Sequence, residues 1–129
     1  MLSDLQSRMI NDFPVSDPTP SFTVKDVVPS LEPYSAPAFY LTTPLGDSDN
    51  NVIYINRRNS PMGLELYTTL AHEGFPGHLY QTVYSNRAFL DKDMDPVRKL
   101  IWYGGYLEGW ALYVEFISYD YAADLLEQC

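Results

Sequence analysis

His72-Glu73-Gly74-Phe75-Pro76-Gly77-His78 is the stretch on which the fold turns, and it contains both histidines of the chain. Upstream, Leu64, Tyr67, Leu70, Ala71 and Gly74 recur at helical spacing behind Ser60 and Pro61, a capping residue followed by a first-turn proline. A helix is therefore predicted from Pro61 to about Gly74. A further helix is predicted from about His78 to Leu90. Pro76 has no N–H to give to the carbonyl of His72, and Gly77 tolerates dihedrals closed to other residues. The first helix should thus end or bulge around Phe75 to Gly77, with the chain turning His78 back toward His72.

That turn decides the chemistry. In H-E-x-x-H zinc peptidases the two histidines lie about 40° apart around one helix and reach a single ion, while the Glu beside the first acts as general base. Six positions along a straight helix would instead leave His78 about 120° around and about 9 Å along the axis from His72, out of reach of a shared ion. With the break, both imidazoles can face one point. The plainer alternative is a helix-turn-helix corner whose histidines satisfy local hydrogen bonds.

Asp95 and Pro96 repeat the helix-start signal, and Leu100, Tyr103, Leu107, Trp110, Ala111 and Val114 form an apolar stripe that continues past Ile117. Glu108 lies on this predicted helix with Tyr106, Leu107, Trp110, Ala111 and Leu112 around it. Its carboxylate is expected to be half-buried and to need a cation, since Arg98 and Lys99 lie nine or more positions back. Glu115, two turns further on the same face, is either a partner behind a ligand or a solvated carboxylate. Two His and one Glu leave the fourth position of a zinc ion open to water, as catalytic sites require. Glu73 would take that water's proton. Tyr103, Tyr106 and Tyr113 are candidate oxyanion donors, and no spacing argument chooses among them; Tyr106 joins Glu73 in the candidate catalytic set. A glycosidase built on Glu73 and Glu108 would give the paired histidines no task.

Ahead of the motif the pattern changes. Seven of the ten prolines fall between Pro14 and Pro44, which excludes a long helix there. Phe22–Val28 reads as a short strand, and Ala38–Thr42 pairs plausibly with Val52–Asn56 across the turn-rich 46–51 stretch. The expected class is α+β, mainly helical, with residues 1–60 a Pro-rich segment of short strands and 61–129 a helical metal-binding core.

The 129 residues allow one compact unit or part of a larger one. Eight Lys and Arg against 17 Asp and Glu give a net charge of −9, which argues against a nucleic-acid partner. Cys129, the sole cysteine, cannot form an internal bridge. Leu100–Ile117 is interrupted by Glu108, Glu115 and glycines, so no membrane span is expected. The MLSDLQSRMINDF start lacks the apolar region of a signal peptide, and localisation stays open.

AHEGFPGHLYQ, followed about thirty positions later by YLEGWALYVE, resembles the bacterial domain-of-unknown-function family 885. Its members carry similar HE-x-x-PGH-x-x-Q and EGWALY segments and belong with the zincin-like metallopeptidases. PAFYLTTP and VIYINRRN resemble the strands that precede the motif in that family. The resemblance implies gluzincin-type motif helices, Zn2+ held by His72, His78 and Glu108, catalysis by Glu73 and a peptide substrate. Leu79 stands where many members carry a further histidine. Members are also considerably longer, with helical chain before this region and more after it, so the missing parts of the parent protein are expected partners. The leading reading is the metal-binding catalytic core of a zinc-dependent peptidase. The alternative is a non-catalytic fragment or degenerate member that acts as a folding or interaction module through an exposed aromatic surface.

Overall fold

The computed structural model describes the chain apart from residues 45, 46, 48, 93, 94, 96 and 127–129, and apart from the side chains of 90, 91, 99, 100 and 124–126. The start signal at Pro96 and the expectation for Cys129 fall outside the described residues.

The three strands lie where the alternating segments predict them: β1 (Phe22–Asp26), β2 (Ala38–Leu41) and β3 (Asn51–Ile55). β3 is central. It pairs antiparallel with β2, Tyr40 opposite Ile53, and parallel with β1, Val24 opposite Ile53. Its inward residues Asn51, Ile53 and Ile55 alternate with half-exposed Val52 and Tyr54, the period of a strand packed on one face. β2 is thereby an edge strand whose outer N–H groups need partners.

The helices are α1 (Leu2–Arg8), α2 (Gly63–Glu73), α3 (His78–Asp91), α4 (Val97–Leu100) and α5 (Gly104–Leu126), so the α+β, mainly helical class is observed. One apolar cluster joins Leu2, Leu5 and Met9 from the N-terminal end, Tyr40, Ile53 and Ile55 from the sheet, Leu70, Leu79, Val83 and Ala122 from the helices, and Phe75 from the turn between α2 and α3. The Pro-rich segment and the helical segment therefore share a core. Two phenols tie the N-terminal residues down: the Tyr67 hydroxyl donates to Asp4 and the Tyr121 hydroxyl to Asp12, each at 2.6 Å.

Three expectations are corrected. The N-terminal residues, which gave no helix signal beyond a mixed polar start, form α1; Leu2 and Leu5, three apart, drop into the core and an Asp4–Arg8 pair spans the outer turn. α2 begins at Gly63 rather than Pro61, because the Ser60 hydroxyl bonds the Pro61 carbonyl and caps nothing. The long helix predicted from Asp95 is broken between Leu100 and Gly104. A Cβ on Gly104 would stand 2.8 Å from Trp102 Nε1, so the indole folds over the glycine and the helix restarts there. The Tyr103 carbonyl then accepts the N–H groups of Tyr106 and Leu107, as the first turn of α5 requires.

Candidate metal centre

α2 stops at Glu73 and α3 starts at His78, so the predicted break is observed in the HEGFPGH stretch. Several features hold it. Phe75 is 1% exposed, and its ring meets Phe22 edge-on at 5.4 Å. Trp110 Nε1–H donates to the Pro76 carbonyl at 2.8 Å, fastening the corner to α5. A Cβ on Gly77 would lie 1.8 Å from the His72 carbonyl oxygen and 2.3 Å from that of Ala71. Glycine is required here by close approach of the two helix ends, a different reason from the dihedral freedom inferred from sequence.

The corner brings the imidazoles of His72 and His78 edge-to-face, with centroids 4.9 Å apart. From α5, Glu108 completes a group in which one donor atom from each of the three residues lies within 4.8 Å of the others. His72 Nε2 stands 3.6 Å from Glu108 Oε2, and His78 Nε2 stands 3.6 Å from Oε1. Ligands on a zinc tetrahedron with bonds near 2.0–2.1 Å are about 3.4 Å apart; the two His–Glu gaps are close to that, and the group could hold a metal ion.

Glu108 is not half-buried as expected; its side chain is 63% exposed. Of the apolar neighbours that suggested burial, Ala111 is buried and Leu107 and Trp110 are half-buried, but Tyr106 and Leu112 are exposed, so the Glu108 side chain meets His72 and His78 at the open rim of the cleft rather than under apolar cover. Glu115 is not a free solvated carboxylate: its Oε2 lies 3.1 Å from His72 Nδ1. That contact orients the ring and leaves Nε2 toward Glu108.

Glu73 lies in the cleft with the three clustered residues, alongside Tyr40, Thr42, Thr82, Trp102 and Leu107. The Tyr40 N–H on the outer edge of β2 donates to its Oε2 at 2.8 Å, fixing the carboxylate and satisfying the strand edge. Burial pushes the Glu73 carboxyl up, helped by nearby Glu108, against the Tyr40 N–H and His72, which favour the charged form. Burial likewise lowers His78, reinforced by His72 and opposed by Glu108.

None of the three candidate tyrosines lines this cleft. Tyr103 and Tyr106 lie in the wall of an adjoining cavity, and Tyr113 stacks at a tilt near Trp110. Sequence reading gave Tyr40 and Trp110 no part in the site, since a backbone N–H at a sheet edge and an indole reaching a distant carbonyl leave no local signal. Gln81, the last residue of the motif segment, is buried with neither amide atom hydrogen-bonded among the described residues.

No helix of the described residues is long and apolar enough to cross a membrane. Comparison with curated proteins finds no match. The crystal structure of the "putative lipoprotein" from Colwellia psychrerythraea is similar, with 27% sequence identity and a TM-score of 0.69; the match covers 92% of this chain and 20% of that one. The chain thus spans about a fifth of the length of that protein. A family profile described as "Bacterial protein of unknown function (DUF885)" matches residues 1–126, and the chain belongs to that family.

Proposed function

We infer that this chain carries the metal-binding catalytic core of a zinc-dependent peptidase of the zincin-like kind. The observation that carries the reading is the approach of His72, His78 and Glu108 across a helix break, with Glu73 anchored beside them. In this reading His72 Nε2, His78 Nε2 and a Glu108 oxygen hold the ion. Bound zinc supplies Lewis acidity toward a water and a peptide carbonyl.

The chain's own residues do the rest. Glu115 keeps the His72 ring turned. Tyr40 holds Glu73 Oε2, leaving Oε1 to accept the proton of the attacking water and return it to the departing amine. Thr42, Thr82 and Trp102 wall the cleft. Tyr106, in the adjoining wall, is the donor assigned to the substrate oxyanion; Tyr106→Phe should lower turnover while leaving zinc content unchanged.

The test is zinc content set against hydrolysis. The chain should hold one zinc, Glu73→Gln should retain it, and the same substitution in the full-length protein should abolish peptide hydrolysis. Failure to take up zinc at saturation would favour the second reading, an interaction module. That reading draws on Leu112, Tyr113, Phe116 and Tyr119, exposed apolar residues of α5.

A further inference from the structure

The cavity beside the metal cleft has a volume of about 750 Å³, within the range that holds a small ligand. Cleft and cavity share Thr42, Thr82, Trp102 and Leu107, so a chain lying in the cleft continues into the cavity past these residues. Its further wall is apolar and aromatic, with Phe89, Ile101, Tyr103 and Tyr106.

Charge gives the cavity a direction. In a chain with net charge −9, its lining among the described residues includes Lys92 and Arg98 and no Asp or Glu. Both cations are exposed, and neither has an ion-pair partner among the described residues. A peptide's amino terminus would need a carboxylate here and finds none among the described residues of this lining. A terminal carboxylate meets two cations, and Arg can grip it with two parallel hydrogen bonds. The buried Gln81 amide in the same wall, unpartnered among the described residues, matches the donor and acceptor of a peptide group.

We propose that this cavity receives the C-terminal end of a peptide, seating a large apolar side chain on its aromatic wall and the terminal carboxylate on Arg98 and Lys92, so that the site acts as a carboxypeptidase. This rests on the peptidase reading above. It narrows that reading to substrates with a free C-terminus and disfavours release of residues from the amino end.

The test is a fluorescence titration, since Trp102 lies in both walls. N-acetyl-Gly-Phe-Phe and its C-terminal amide are titrated into the zinc-free and the zinc-loaded chain. The free acid should bind at least about tenfold more tightly than the amide in both states. Arg98→Gln and Lys92→Gln should each reduce that preference, the double variant should abolish it, and Arg98→Lys should restore part of it, which a merely misfolded variant would not do. Equal affinity for acid and amide, no binding of either, or a preference that survives in the double variant would overturn the proposal. The zinc-free arm keeps this result separate from the peptidase reading, which stands or falls on zinc uptake.

Discussion

The α2–α3 corner and the helix α5 both contribute to the candidate centre, yet they are built in opposite ways. At the corner nearly every residue is sealed: Phe75, Pro76 and Leu79 are fully buried, and Gly77 lies against two carbonyl oxygens of α2. α5 buries one stripe, Ala111, Val114, Ser118, Tyr121 and Ala122, and leaves Tyr113, Phe116 and Tyr119 in solvent. The corner derives its shape from local covalent constraint and close packing. α5 is apolar on several faces, and among the described residues it buries the stripe turned to α2, α3 and the N-terminal residues.

The largest effect that would break this contrast is at Gly77. Gly77→Ala places a methyl group inside the van der Waals shell of the His72 carbonyl, so one of the helix ends must move. The expected cost is about 4 kcal/mol or more in urea unfolding, together with loss of zinc binding. Removing a buried ring at the corner comes next. Phe75→Ala should cost about 3–5 kcal/mol, whereas Phe116→Ala on the outer face of α5, 64% exposed, should stay within about 0.5 kcal/mol. Similar losses at the two phenylalanines would show that α5 is covered in solution and would erase the contrast.

Glu115 sharpens the comparison, since it is where α5 serves the corner. Glu115→Gln should weaken zinc binding by about 10–100-fold in a chelator competition, with little change in unfolding. An unchanged affinity would mean the 3.1 Å contact with His72 does not orient the ring.

The last effect, pH-dependent, is at the N-terminal end. Burial pushes the Asp4 carboxyl up, but hydrogen bonds from Tyr67 and Arg8 and the Arg8 charge outweigh it and hold the group below its ordinary value of 3.8. A depressed acid stabilises the fold above its unfolded pKa, and that stabilisation is lost as the pH falls through the folded value. Tyr67→Phe should therefore destabilise by about 1–2 kcal/mol near neutral pH. The difference from the parent chain should shrink as the pH drops below 3.8. A difference that is constant with pH would remove Asp4 from the explanation.

The same contrast explains what could be read from sequence. Pro76 and Gly77 announce a helix break through their own covalent chemistry, and β2 and β3 announce themselves through alternation, so these elements appear close to their predicted bounds. Glu108 lies with His72 and His78, but the burial expected of it from its neighbours is not seen, because burial depends on which face of α5 finds a partner and that is a tertiary property. The break before Gly104 was hidden by an apolar stripe that runs through it. The tie from Tyr40 to Glu73 spans 33 residues and uses a backbone donor, which no spacing rule detects.

The most direct test is zinc-edge anomalous scattering from crystals of the chain grown with zinc. A single peak bonded to His72 Nε2, His78 Nε2 and a Glu108 oxygen at about 2.0–2.2 Å is the predicted result. A peak elsewhere, or none within reach of these three side chains, would contradict the account.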